Sequence, residues 1–487
     1  MRQHTLVGAG VADTQSSLDG YLRETGNYVT SVDFGGSAAY QSGRLGVDRI
    51  ERLHRVVLLS FLFYVFVGTQ FAANFGSAEF SGTAALAERL EGDPLNRIFV
   101  LALFGMSVPV VWHFRQATLE CVRANKVLLG VVGFCALSVL WSNFPDLTLR
   151  RSFQLLVFTF TSIAIVAGTR NIRDLHGTLF HFLTAVSAVN LLMALVVPAS
   201  AFSDIGLKGI HSSKNMAGEI GMIAIVVGVT WVFGAQNRRA VMWGIAAIVL
   251  STIFLALTLS KTSIVLAIVA LLVGAVFYCV KRQGAWVAVV ILTLCSTTAS
   301  VAVGVLLWMD FDYMAIIQAV FGDASFSGRD ELWAFARDAI SKRPWLGYGY
   351  GAFWDVGEAN DPLNRLDQGT WLGNVEKGVI NQAHNGYLEL PLHIGVPATI
   401  VAVLVVAGAM VNAARLAIRS SPVSGDGPFY AALVLCLFLN FPHNFTEATL
   451  FIRGTTLCQL CIYMALLANT LALRASAAAT SAGRVAR

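Results

Sequence analysis

Apolar residues along this chain fall into long blocks separated by short polar breaks. The blocks cover roughly residues 56–73, 97–113, 126–141, 152–168, 176–198, 216–235, 240–258, 262–280, 285–308, 386–412, 428–441 and 450–472. Most approach the ~20 residues that an α-helix needs to cross the hydrocarbon core. The pattern predicts an all-α polytopic membrane protein with about twelve transmembrane helices. The eleventh block is the weakest, because Pro428 and Pro442 bracket a run below the usual length. Residues 1–55 are polar and rich in Gly and Ser, and no small-residue cleavage site precedes the first block near Val56. That block is therefore expected to be an uncleaved first span.

One connection is long. The pattern divides the chain into a polar N-terminal segment (1–55), nine spans (56–308), a loop domain (309–383), three spans (384–473) and a tail (474–487). The loop holds eight Asp, three Glu and six Lys or Arg, a net charge of −5. Within it, Leu332, Trp333, Phe335, Ala336, Ala339 and Ile340 recur at helical spacing between Arg329 and Ser341, which predicts an amphipathic helix on the membrane surface or over a cavity. Arg343-Pro344 ends it, and Gly347, Gly349 and Gly351 alternate with aromatics in a turn-rich stretch. The Ala/Ser-rich tail after Arg474 reads as disordered.

Composition agrees with the span count. Of 487 residues 56% are hydrophobic and 13% charged, against roughly 45–50% and about 25% in a soluble domain. With both termini on the cytoplasmic side, the short inner loops hold Arg115, Arg123, Lys126, Arg170, Arg173, Arg238, Arg239, Lys281, Arg282, Arg415 and Arg419 against Glu120, Asp174 and Asp426. The first outer loop instead carries Glu79, Glu88, Glu91 and Asp93 with Arg89 and Arg97. This bias favours a cytoplasmic N-terminus and puts the long loop on the outer face of the membrane. The net charge of +5 is thus a topology signal, and nucleic acid is not an expected partner.

Seven cysteines lie in apolar runs or an inner loop, away from the long outer loop, so a disulfide-stapled fold is not expected. Cys458 and Cys461 form a C-x-x-C inside an apolar run without a second pair, and Asp310-Phe311-Asp312 matches a D-x-D that chance supplies easily. No metal or cofactor is expected. The informative residues are basic and imidazole groups on the outer side, where the topology rule predicts few. They are Arg150, Arg151, Lys208, His211, Lys214, Lys261, Arg329, His384, His443 and Arg453. Such a cluster suits an anion, and the candidates are lipid headgroups, an acidic substrate or the diphosphate of a polyprenyl carrier. For Arg150, Arg151 and Lys208, snorkelling to the interface is an equal reading. Lys261 falls in almost the only polar break between two runs, which predicts a wet cavity beside it. His384, Asn385 and Glu389 make one edge of the tenth span's outer end polar, and a histidine there can exchange protons near neutral pH. The aromatics of the long loop, Trp333 among them, suit either sugar stacking or an interfacial belt.

Several stretches together resemble a known family. Ser327-Gly328-Arg329-Asp330-Glu331-Leu332-Trp333, Arg343-Pro344-Trp345-Leu346-Gly347-Tyr348-Gly349 and Ala383-His384-Asn385-Gly386-Tyr387-Leu388-Glu389 are similar to the signature region of the bacterial O-antigen ligase and polysaccharide polymerase superfamily. Trp141-Ser142, Leu149-Arg150-Arg151-Ser152 and His211-Ser212-Ser213-Lys214-Asn215-Met216-Ala217-Gly218 agree with it. The resemblance implies a fold like the GT-C membrane glycosyltransferases and a metal-independent, inverting transfer on the periplasmic face. The donor would be a glycan on undecaprenyl diphosphate. By carry-over, Arg329 would contact the donor diphosphate and His384 would position or deprotonate the acceptor hydroxyl. Lys214, His211, Lys261, Arg150, Arg151, Asn385, Trp333 and Tyr387 would bind diphosphate or glycan. Lys214 stands where an Arg would be expected, giving a point charge in place of a fork. A polymerase would extend the chain on lipid-linked repeats, with chain-length-regulating and export proteins as partners; a ligase would move the glycan to lipid A-core. The motifs and polar N-terminus look more like a polymerase. An anion or lipid transporter, with Lys261, Lys214 and Arg329 along its pathway, is a third reading.

Overall fold

The computed structural model describes residues 44–68, 94–203, 205–284, 297, 329–354, 356–365, 372, 380–420 and 425–485. Among them the regular elements are helices, with one isolated bridge between Phe202 and Leu207. They are α1 (Arg44–Phe63, continued by a π turn to Gly68), α2 (Pro94–His113), α3 (Arg115–Ala124), α4 (Lys126–Leu137), α5 (Pro145–Gly168), α6 (Ile172–Val196), α7 (Lys214–Phe233), α8 (Arg238–Thr258), α9 (Lys261–Gln283), α10 (Arg329–Lys342), α11 (Gly386–Arg419), α12 (Gly427–His443) and α13 (Thr456–Val485). A short turn, Pro198–Ala201, follows α6.

Eight of the described helices are long and apolar enough to span a bilayer. The pair α3 and α4, which meet at 85°, makes a ninth if taken together as one broken span. The bend is at Asn125, whose buried amide donates to the carbonyls of Cys121 and Leu466. It thereby supplies partners that a helix break in lipid must find. The short block at 428–441 is α12, of 17 residues. The first block is part of α1, which starts twelve residues before Val56 at Arg44, and the block at 285–308, apart from residue 297, lies outside the described residues, as do Asp310 and Asp312. The tail departs from expectation: α13 runs unbroken to Val485, because its run of alanines favours helix without needing a packed face.

The helix ends sort into two groups. One group gathers the basic residues of the short loops, with Arg173 on Asp426 at 2.9 Å and Arg474 on Glu120 at 3.0 Å. The other gathers the starts of α7, α9, α11 and α13 and the end of α12, joined by side-chain hydrogen bonds.

At that second end α11 is broken. Pro397 supplies no N–H for the His393 carbonyl, and Gly395 leaves helical geometry at φ +79°. The glycine-aromatic stretch after α10 repairs the break. Tyr348 N–H donates to the Leu392 carbonyl (2.7 Å), Gly349 N–H to that of His393 (3.1 Å), and Val396 N–H reaches back to Pro344 (2.7 Å). Gly347, at φ +67°, has the space of a hydrogen only, since a Cβ would stand 2.7 Å from the Leu392 oxygen. Over this junction α10 buries Leu332, Ala336 and Ala339 with Phe353, Trp354 and Leu392 in a second apolar cluster. The helix expected at Arg329–Ser341 is thus a cap on the bundle.

Candidate functional site

His384 precedes α11 and lies outside it. Asn385 caps the helix by accepting from the Tyr387 N–H at 2.9 Å, so the chain must turn sharply just before it, and His384 takes φ +49°. This left-handed geometry is uncommon for a residue with a Cβ and persists where neighbours hold it. The polar helix edge expected of His384, Asn385 and Glu389 therefore does not include His384.

The imidazole meets a carboxylate from the connector between α12 and α13. His384 Nδ1 lies 3.0 Å from Glu447 Oε2. The other carboxylate oxygen, Oε1, accepts from Asn215 Nδ2 at 3.1 Å and has Arg329 Nη2 at 4.0 Å. Arg329 Nη1 donates to the Thr446 carbonyl at 3.1 Å. Asn215 is held in turn by Ser260 at 3.5 Å, next to Lys261. Three distant parts of the sequence, around Asn215, Arg329 and His384, thus converge on one carboxylate. Burial alone would raise the pKa of Glu447, but the His384 hydrogen bond and the charges of His384 and Arg329 outweigh it and hold the group below its ordinary value.

The connector is built to carry Glu447. Buried Asn444 accepts from the Thr449 and Leu450 N–H groups at 2.9 and 2.7 Å, closing a tight turn. The Gly386 N–H donates to the carbonyls of Asn444 (2.8 Å) and Glu447 (3.1 Å), stitching the start of α11 to the same turn. On the other side, Glu219 of α7 accepts from Leu457 N–H at 2.8 Å and caps α13.

The remaining sequence-selected residues divide by position. Lys214 opens α7 beside Asn215 and is half-buried; Lys261 opens α9 and is exposed. Trp333 donates its indole N–H to the Ala383 carbonyl at 3.0 Å. The Tyr387 hydroxyl donates to the Phe441 carbonyl at 2.9 Å, and its ring leans on Phe445. Arg150 is exposed at the start of α5, with Nε near the Asp146 carbonyl. Arg151 is buried and gives its guanidinium to the carbonyls of Gly351 and Trp354, so it secures the glycine-aromatic stretch. His211 is also buried, beside Asn190 at 3.2 Å, and burial pushes its pKa down to about 4. Its ring is packed against Asn190 inside the bundle, away from the groups gathered on Glu447. Glu447 escaped sequence reasoning, although an acid in the short polar break between the last two apolar runs was a usable signal.

A family described as O-antigen ligase matches residues 246–403, from α8 through Arg329 and His384 into α11. The chain is also similar to the exopolysaccharide production protein ExoQ of Rhizobium meliloti (strain 1021), at 23% identity over 308 residues, 62% of this chain and 68% of that protein. Both findings support an O-antigen ligase and polymerase-like family, the one that the sequence motifs resemble.

Proposed function

We propose that this protein is a periplasmic-face glycosyltransferase that polymerises undecaprenyl-diphosphate-linked repeat units into an exopolysaccharide or O-antigen chain. The observation that carries the reading is the contact of His384 Nδ1 with Glu447 at 3.0 Å, beside Arg329. With a proton on Nδ1 directed at the carboxylate, Nε2 is the basic nitrogen. It takes the proton of an acceptor hydroxyl as the oxygen bonds to the donor's anomeric carbon. The bond from that carbon to the phosphate oxygen breaks, and polyprenyl diphosphate leaves with the electron pair. A single displacement inverts the anomeric centre. Charge develops in two places. Glu447 stabilises the imidazolium, and Arg329, with Lys214 near the same end, meets the leaving diphosphate. Residues suffice for this chemistry, so the mechanism is metal-independent.

The concentration of basic residues at the opposite end of the bundle supports a periplasmic site. The matched family's description favours a second reading, transfer to lipid A-core by a ligase, whereas the ExoQ similarity favours exopolysaccharide. Gene deletion separates them. Loss of polysaccharide with accumulation of single lipid-linked repeats is the expected result; intact long chains that never reach lipid A-core would give the assignment to the ligase. Arg329→Ala and His384→Ala, expressed and inserted normally, are each expected to abolish polymer in the deletion strain. Wild-type polymer yield from either variant would refute the site.

A further inference from the structure

Glu389 is a carboxylate almost wholly removed from solvent, 2% exposed, one turn inside α11. Burial of such a group is costly unless donors surround it, and here there are three. Oε2 accepts from the Ala383 N–H at 2.7 Å and from the Trp354 indole at 3.0 Å, while Oε1 faces His393 Nε2 at 3.1 Å. The Ala383 carbonyl is held too, by the Trp333 indole at 3.0 Å. Both peptide groups flanking Ala383 are therefore fixed, and the next residue is His384.

We infer that Glu389 is a positioning residue for His384, clamping the backbone upstream of the imidazole as Gly386 N–H clamps it downstream. The inference rests on the reading of His384 as the base. A left-handed His384 is an unfavourable conformation that must be over-determined. The downstream bonds to Asn444 and Glu447 orient α11, but they leave rotation about the Ala383 peptide open. Glu389 removes that freedom. It holds the Ala383 N–H while itself held by Trp354 of the glycine-aromatic stretch, and Trp333 of α10 holds the Ala383 carbonyl from the other side. The docking of the loop over the kink is thereby converted into an aim for the imidazole.

The test uses the full chain in membrane vesicles, with polyprenyl-diphosphate-linked repeat units extracted from the deletion strain as donor. A base displaced by about 1 Å loses on the order of a hundredfold in rate. Glu389→Ala is expected to lower turnover by about that factor and to leave the donor KM within about twofold. Glu389→Gln, whose carbonyl oxygen can still accept from Ala383 and Trp354, is expected to restore turnover to within about fivefold of wild type. Trp333→Phe keeps the ring, loses the indole donor and is expected to cost about tenfold in turnover. It carries the test if Glu389→Ala fails to accumulate. Wild-type turnover in Glu389→Ala or Trp333→Phe would overturn the clamp, as would an equal loss in Glu389→Gln and Glu389→Ala, or a rise in donor KM matching the loss of turnover. His384→Ala is the control. If that variant remains active, the base assignment itself has failed; if it is inactive while Glu389→Ala is normal, only the clamp has.

Discussion

Replacing Glu447 by Gln removes a charge from the centre of the site while keeping its shape. In the proposed transfer the imidazole becomes positive as the acceptor proton arrives, 3.0 Å from the carboxylate. At an effective dielectric of 20, opposite unit charges at that distance attract by about 5 kcal/mol. The His384 side chain is 35% exposed and that of Glu447 17%, so solvent screening reduces the figure to about 2–3 kcal/mol. Lost from the transition state, this is roughly a 30- to 150-fold fall in turnover. A glutamine oxygen can still accept from one of His384 and Asn215, so the amount of folded protein is expected to change little. The assay is glycan transfer in vesicles with lipid-linked repeats, repeated from about pH 5 to 8. Because Glu447 is held below its ordinary value of 4.5, its charge persists as pH falls and is lost only on passing the lowered value. The ratio of wild-type to variant turnover is thus expected to stay constant across that range. Turnover in Glu447→Gln within twofold of wild type would refute the electrostatic role, and a ratio that collapsed well above pH 5 would refute the protonation argument.

Gly395→Ala places a Cβ against the Trp345 carbonyl at φ +79°. It is expected to destabilise the protein by at least about 2 kcal/mol, read as a lower unfolding midpoint in detergent; an unchanged midpoint would mean that the loop and the kink separate easily. His211 is buried with its pKa lowered to about 4 from 6.5, so the unfolded chain binds the extra proton between those values and stability rises with pH across that window. His211→Gln is expected to flatten this part of the melting profile, and an unaltered slope would assign the pH dependence to other groups.

The helix-forming pattern was largely open to sequence reasoning. The amphipathic stretch from Arg329 became α10, ending one residue past the expected Ser341, and the block at 386–412 became the longer α11. Long apolar runs report their own structure because the bilayer leaves the backbone few alternatives. Partnership was not open in the same way. The side on which Arg151 and His211 lie follows from topology, yet Arg151 is taken by carbonyls 200 residues away and His211 by a buried amide. Gly347, Gly349 and Gly351 signalled turns, but the docking of Tyr348 and Gly349 on freed helix carbonyls depends on backbone contacts that leave no periodicity. His384 and Arg329 were visible through their motif. Glu447 was not, since the acid in that short polar break stands out by position, while the partners that give it a role meet it only when the chain folds back on itself.

The carboxylate's position in the connector after α12 has a consequence for biogenesis. Asn215, Arg329 and His384 all leave the ribosome first, on segments that enter the membrane ahead of the final helical hairpin. Until α12 and α13 are inserted, the imidazole has neither its anionic neighbour nor the carbonyls that receive Gly386 N–H. On the proposed function, competence for transfer would therefore arrive with the last hairpin rather than accumulate span by span.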